Sequence, residues 1–250
     1  FWNCVWLFLN DAIFGYTFGV YVLYNRHYLA ARIDEAIQLG FDSLVDPGLA
    51  WLDSWPVGLK LNAQLSGFFR LAFLQISVSF LAGVQLISRA GVLPLILSII
   101  GILGCLSMSF LLAMCTDLFT LLTVNVSISY RLMAAVQRFQ WSALYHLFTL
   151  FRGKRRNFLR RRIDSWEYEI DQLILGTVLF TLVVFLLPTV LVYYAFFTCL
   201  RVGMLSIQAC IEVMLACMNY FPLFAILLRL KDPERLPGAC MPRRSVMNED

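Results

Sequence analysis

The chain alternates between long stretches without charge and short, densely charged ones. Residues 71–88, 90–116 and 172–200 carry no Asp, Glu, Lys or Arg over 18, 27 and 29 positions. A helix crosses the hydrocarbon core of a bilayer in roughly 20 residues, so each run predicts a span. Two further apolar stretches hold one acid each, 1–25 around Asp11 and 202–228 around Glu212. Five spans are therefore expected. The stretch 116–138 is apolar enough for a sixth, but Asp117, Thr120, Thr123, Asn125, Ser127, Ser129 and Arg131 make it wet. It is expected to continue as helix outside the core.

Between the first two spans the pattern changes. Leu29, Ile33, Ile37 and Phe41 recur every fourth residue, and Asp34, Gln38 and Asp42 form a second row at the same spacing. Two rows four residues apart predict an amphipathic helix, ended by Asp46-Pro47-Gly48. Trp51 and Trp55, followed by Pro56 and Gly58, suit a hooked loop at a membrane interface. The helix is expected to lie on the surface and not to cross.

Composition turns these local signals into a class. Of 250 residues, 60% are hydrophobic and 14% charged. Soluble domains are about 45–50% apolar and about 25% charged, and a soluble fold could not cover the difference. Unbroken apolar runs, without alternation, also argue against a β-barrel. The fold class is all-α, a polytopic helical membrane protein with about five, or six, spans plus interfacial amphipathic helices. The membrane domain is expected over 1–231, with cytosolic interfacial segments at about 26–66 and 131–168. A polar tail follows at 232–250. The chain opens inside an apolar stretch and is read as part of a longer protein, its N-terminal portion absent.

A net charge of +4 is too weak to suggest nucleic acid, and no nucleic-acid partner is expected; where the positives lie matters more. With five spans, 18 of the 20 Lys and Arg fall on one side, leaving only Arg89 and Arg201 opposite. That side is expected to be cytosolic. The densest cluster is FRGKRRNFLRRRI at 151–163, with Arg152, Lys154, Arg155, Arg156, Arg160, Arg161 and Arg162. At 100° per residue these point all round a helix, a basic collar at headgroup level with snorkelling stems. The collar has two readings: it contacts an anionic headgroup or acidic partner, or it only sets topology. Asp164 with Glu167 predicts the N-cap of the next helix. Pro188 should kink the long span.

Chemistry is sparse. There is no H-E-x-x-H, G-x-S-x-G, P-loop or G-x-G-x-x-G, and no D-x-D pair for a divalent metal with a sugar nucleotide. The seven cysteines form no C-x-x-C pair, and His27 and His146 stand far apart. No metal site, catalytic residue or cofactor is expected. Asp11 and Glu212 have two readings: an ion or proton path, or contacts to a neighbouring helix or subunit.

One resemblance is specific. After FRGK at 151–154 come Asn157, Leu159, Arg162, Asp164-Ser165, Tyr168, Asp171-Gln172-Leu173, Gly176-Thr177, Leu179-Phe180-Thr181, FLLPT at 185–189 and Tyr193-Tyr194. This run resembles the signature region of the PIG-Q family, and WPVGLKLN at 55–62 resembles an upstream block of that family. The resemblance covers roughly 1–231. It implies a subunit of the endoplasmic reticulum complex that transfers N-acetylglucosamine from UDP-GlcNAc to phosphatidylinositol on the cytosolic face. It also implies a catalytic partner, PIG-A, and the further partners PIG-C, PIG-H, PIG-P and PIG-Y. The family supplies no catalytic residues to carry over. The expectation is a non-catalytic scaffold whose basic segment, with Lys60 and Trp55, contacts lipid headgroups, including phosphatidylinositol, or partners. A membrane enzyme in its own right, or a transporter or channel, are the alternatives.

Overall fold

The charge-free runs become helices, but not one helix each. The structure, a computed structural model, describes residues 2–54, 56–58, 60–157, 162–165, 167–220, 226 and 230. The helices are α1 (Trp2–Tyr24), α2 (Arg26–Gly40), α3 (Asp46–Asp53), α4 (Ala63–Arg89), α5 (Val92–Gly104), α6 (Met108–Leu122), α7 (Val124–Phe151) and α8 (Ile170–Tyr220). Among the described residues the fold is all-α apart from one short two-stranded ribbon, β1 (Lys154–Asn157) with β2 (Arg162–Ser165). The polar tail at 232–250 lies outside the described residues.

Three of these helices are long and apolar enough to cross a membrane, over Cys4–Tyr24, Ala63–Arg89 and Ile170–Asn219. The bent pair α6 and α7, which meet at 56°, makes a fourth if taken as one span. The described helices therefore give three or four candidates where five were expected. Two local facts account for the difference. The run 90–116 breaks at Cys105–Ser107, leaving α5 with only 13 residues, too few for one crossing. At the other end, no turn occurs at Arg201. α8 runs through it for 51 residues, so a lone arginine between two apolar runs does not mark a loop. Its guanidinium donates to Ser127 Oγ on α7 at 2.7 Å.

The stretch 116–138 is helical, with Asp117, Thr120 and Arg131 exposed and the other polar residues turned inward to differing degrees. Asn125, Ser127 and Ser129 are buried on α7, as are Gln137 and Gln140 further along. Asn125 donates to Ser77 Oγ (3.0 Å), and Gln140 donates to the carbonyl of Val183 (3.1 Å). In apolar surroundings polar side chains can join helices by hydrogen bonds, and the buried Asn125 and Gln140 do so here.

The amphipathic segment forms as α2, but Asp46-Pro47-Gly48 does not end the helical path. One turn of π-helix at Phe41–Val45 leads into α3, with Pro47 in the first turn of α3. Proline is common in the first turn of a helix, where its fixed φ suits the helical backbone. A 3₁₀ turn at Pro56–Gly58 and an extended piece then reach α4, Gly58 supplying the positive φ of 75°.

The chain divides into two compact units. One holds Phe1–Asn25, Leu97–Thr116 and Cys210–Asp250, and is built on small residues. Gly15 and Gly19 of α1 are buried against the end of α5 and the turn after it. A Cβ on Gly15 would stand 2.5 Å from the Met108 amide nitrogen, and one on Gly19 would stand 2.6 Å from that of Cys105. The other unit holds Arg26–Ile96 and Asp117–Ala209. Its core joins Leu49 and Leu52 of α3, Phe69 and Phe73 of α4, Met133 of α7, and Val190, Tyr193 and Phe197 of α8.

Candidate functional site

In the second unit, the two blocks that carry the family resemblance meet in space. The first ends at Asn62, whose backbone is extended (φ −69°, ψ 109°) and whose side chain accepts from the amides of Gln64 and Leu65, both at 3.1 Å. Asn62 is thus the N-cap of α4. Its own amide donates to Thr189 Oγ1 on α8 at 3.1 Å, 127 residues away in sequence. One turn further, Tyr193 donates its hydroxyl proton to the carbonyl of Ser66 at 3.0 Å. That proton is then committed, so Ser66 Oγ is the donor in its own 3.0 Å bond to Tyr193 Oη. Thr189 and Tyr193 are both 0% exposed. A side bridge, Arg70 to Asp53 at 3.2 Å, ties α4 to α3 beside them. The polar groups of this site face one another in place of a cleft. It is a clamp that fixes the hooked loop to α8.

Asn62, Thr189 and Tyr193 belong to the blocks that carry the resemblance, while Ser66 lies outside them. Asn62 directly before an apolar run is an N-cap signal. Nothing local, however, pairs it with Thr189. The G-x-x-x-G spacing at Gly15 and Gly19 is a second signal that sequence reasoning missed.

The predicted site residues are dispersed. Asp11 is half-buried on α1, in the first unit, and its carboxyl group caps α6. Oδ2 accepts from Ser107 Oγ (2.5 Å), and Oδ1 accepts from the amide and hydroxyl of Ser109 (both 2.9 Å). An acid at a helix start meets unpaired N–H groups and the positive end of the helix dipole. Asp11→Ala leaves Ser107 Oγ and the Ser109 amide short of an acceptor, while Ser109 Oγ keeps Asn219 Oδ1 at 2.9 Å, and should cost about 1.5–3 kcal/mol. Asp11→Asn, which keeps one oxygen, should cost less. Melting of the detergent-solubilised protein checks the order, and equal melting for both variants contradicts it. Glu212 is exposed on the last part of α8.

The basic segment is not a helical collar. α7 ends at Phe151, Arg152 caps it with its guanidinium 6.0 Å from the Phe148 ring centre, and Gly153 turns out with φ 61°. From Lys154 the chain runs as β1, pairing antiparallel with β2 so that Arg155 lies opposite Asp164 and Arg156 opposite Ile163. Asp164 is therefore a strand residue and not an N-cap; α8 starts at Ile170 with Asp171 in its first turn. A helix would have stacked Arg152, Arg156 and Arg160 at i, i+4, where like charges repel. The ribbon instead sets Asp164 across from Arg155. Arg162 belongs to β2, while Arg160 and Arg161 lie outside the described residues, as does Trp55. Lys60 is exposed in the extended piece before α4.

Apolar helices of spanning length, joined through glycines and buried hydrogen bonds, define a helical membrane protein. Comparison with known proteins narrows this. Residues 1–238 match the family described as N-acetylglucosaminyl transferase component (Gpi1), and the chain belongs to that family. The N-acetylglucosaminyl-phosphatidylinositol biosynthetic protein gpi1 of Schizosaccharomyces pombe is 38% identical over 239 residues, 95% of this chain and 36% of the relative. Phosphatidylinositol N-acetylglucosaminyltransferase subunit GPI1 of Saccharomyces cerevisiae is 36% identical over 239 residues, 95% of this chain and 39% of the relative. Phosphatidylinositol N-acetylglucosaminyltransferase subunit Q of Homo sapiens is 37% identical over 201 residues, 78% of this chain and 26% of the relative. The chain thus spans between a quarter and two-fifths of the length of these relatives. No solved structure matches it.

Proposed function

We propose that this chain is a non-catalytic membrane scaffold in a complex that transfers N-acetylglucosamine from UDP-GlcNAc to phosphatidylinositol, the first step of glycosylphosphatidylinositol anchor synthesis. The names of the relatives motivate the reaction. One observation carries the structural role: the clamp's polar residues Asn62, Ser66, Thr189 and Tyr193 are hydrogen-bonded to one another and to backbone. These blocks hold the chain's own helices, and the sugar-nucleotide chemistry belongs to a partner. The family resemblance names that partner as PIG-A, with PIG-C, PIG-H, PIG-P and PIG-Y completing the assembly at the endoplasmic reticulum. The cytosolic side is assigned to the segment 131–168, where nine Lys and Arg gather. On this reading 1–231 is the membrane domain, and 26–66 lies along the same face.

Purification of the intact protein from mild detergent, with its partners identified and the eluate assayed with UDP-GlcNAc and phosphatidylinositol, tests the proposal. Co-elution of a glycosyltransferase together with lipid-linked GlcNAc formation is expected. Formation of the product by the chain purified to homogeneity would make it an enzyme in its own right and end the scaffold reading.

The basic ribbon is proposed to contact anionic headgroups, with Lys60 and Trp55 contributing from the hooked loop. Reversing Arg160, Arg161 and Arg162 to Glu should weaken binding to phosphoinositide-containing liposomes. Each Lys or Arg near an anionic surface is worth about 1 kcal/mol, so the loss should exceed about tenfold. Unchanged binding in a flotation assay would leave only the topological reading.

A further inference from the structure

Arg201 carries a charge for which the described residues supply no counter-charge. It is half-buried on α8, and its guanidinium, a fork of several N–H donors, donates to the neutral Ser127 Oγ on α7 at 2.7 Å. Among the described residues the ion pairs are Arg32 with Glu35 and Arg70 with Asp53, so no acid meets Arg201. Its depth follows from its neighbours. α4 and α8 run side by side in one direction, with Asn62 at Thr189, Ser66 at Tyr193 and Phe73 at Phe197. Arg201, one turn past Phe197, is thus level with Ser77. Ser127 gives the same level, since Asn125, just before it, donates to Ser77 Oγ. Ser77 stands two turns past Arg70 on a candidate span, about 10 Å into the charge-free stretch at a rise of about 1.5 Å per residue. On the Arg70 side, the seam between α7 and α8 is occupied by a ring pair. Tyr194, two turns before Arg201 on the same face of α8, stacks on Tyr130 of α7 with ring centres 6.1 Å apart. Arg138 adds positive field there, since it and Arg201 both act electrostatically on the Tyr130 hydroxyl.

We propose that Arg201 docks a membrane helix of another subunit, one that packs along the α7–α8 seam and pairs an Asp or Glu with this guanidinium. Charge complementarity identifies the chemistry of the partner. An arginine alone inside an apolar stretch is costly, and such residues pair with opposite charges on neighbouring helices. A carboxylate accepts two parallel bonds from the guanidinium fork, and the bond to Ser127 holds that fork in place for it. Depth favours a helix over a lipid as the carrier of the charge. A phosphate of the nearer leaflet would have to descend about 10 Å below the level of Arg70, past the stacked tyrosines, whereas a spanning helix brings its side chains to this level. The inference deepens the reading of the chain as one subunit of a membrane complex and rests on it.

The test uses the full-length protein in cells whose own copy has been removed. A photo-crosslinking amino acid replaces Arg131, which is exposed one turn from Ser127 on the same face of α7. After illumination and purification, adducts are mapped by mass spectrometry. A peptide from a membrane helix of another subunit, carrying an Asp or Glu, is expected. Arg201→Leu strands that carboxylate and should lower recovery of the subunit with this chain about tenfold. Arg201→Lys keeps the charge without the fork and should lose less, about threefold. Changing the partner's acid to its amide in the Arg201→Leu background should restore recovery, as a coupled pair requires. A role confined to the Ser127 bond within this chain predicts no rescue. Elution of each variant as a single symmetric peak controls for folding, and should Arg201→Leu fail to fold, the adduct still decides. No adduct, an adduct with phospholipid alone, with a peptide of this chain or with a helix lacking an acid overturns the proposal, as does wild-type recovery for Arg201→Leu or absence of rescue. A wild-type protein that brings down no membrane subunit ends both this inference and the subunit reading, whereas co-purification indifferent to Arg201 ends the inference alone.

Discussion

Alanine at Gly15 will destabilise the protein, although alanine at most helical glycines does the opposite. Gly→Ala in a helix interior ordinarily stabilises by about 0.5–1 kcal/mol, because alanine has less backbone entropy to lose. At Gly15 the new methyl would lie 2.5 Å from both Met108 N and Ser107 C, and 2.8 Å from Gly104 O. All three are backbone atoms and cannot rotate aside. Closely approached backbones are the means by which membrane helices associate, since lipid leaves no hydrophobic drive between them. Separating α1 from the turn that starts α6 also pulls Asp11 from Ser107 and Ser109. A loss of about 1–3 kcal/mol is expected for Gly15→Ala from overpacking alone, and more for Gly15→Leu. Gly67 and Gly83 on α4 are the internal controls, since a Cβ there meets nothing within 4 Å. Alanine at either should raise the melting temperature or leave it unchanged. Thermal melting of the four variants in one detergent decides the matter, and identical behaviour at Gly15 and Gly83 would refute the packing argument.

Tyr193 is expected to be the most sensitive side chain of the second unit. It is fully buried, with its ring centre 5.3 Å from that of Phe69 and its hydroxyl bonded twice to Ser66. Two substitutions separate ring from hydroxyl. Tyr193→Phe removes only the bonds, and hydrogen bonds between membrane helices average about 0.6 kcal/mol because the alternative states also find partners. Ser66 Oγ can turn back to a carbonyl of its own helix, which softens the loss further. Tyr193→Ala removes the ring from a packed core and should cost about 3–5 kcal/mol. The cavity would open beside Thr189 and loosen its hold on Asn62, so the hooked loop should become protease-sensitive in the alanine variant only. On the scaffold reading, cellular transferase activity falls in step with the amount of assembled complex, while activity per complex is kept. A drop in activity per complex at unchanged abundance would instead place Tyr193 close to the reaction.

The basic segment shows where pattern reading stops. A helical wheel places the positives of 151–163 all round, with Phe151, Phe158 and Leu159 sharing one arc, and so predicts a basic collar. Gly153 at φ 61° and the pairing of Arg155 with Asp164 were needed to show a ribbon. The described helices carry three or four candidate spans and not five for a related reason. Charge-free length says how much chain a bilayer can hold, but not where the backbone turns. Arg201 looked like a boundary because a charge inside lipid is costly; it lies inside α8, with Ser127 of α7 2.7 Å away. At Cys105–Ser107 the reverse holds, since an apolar run gave no hint that the helix breaks there.

Local patterns were therefore sufficient for properties that depend on composition and on neighbours a few residues apart. These are the helical membrane class, the α2 amphipathic face and the family to which the chain belongs. Only the tertiary structure decided which polar residues are partners. Asn62 with Thr189, Ser66 with Tyr193 and Ser127 with Arg201 are separated by 74 to 127 residues. In an apolar interior each such group must be satisfied from another helix, and that choice is made by packing geometry, which no window along the chain contains.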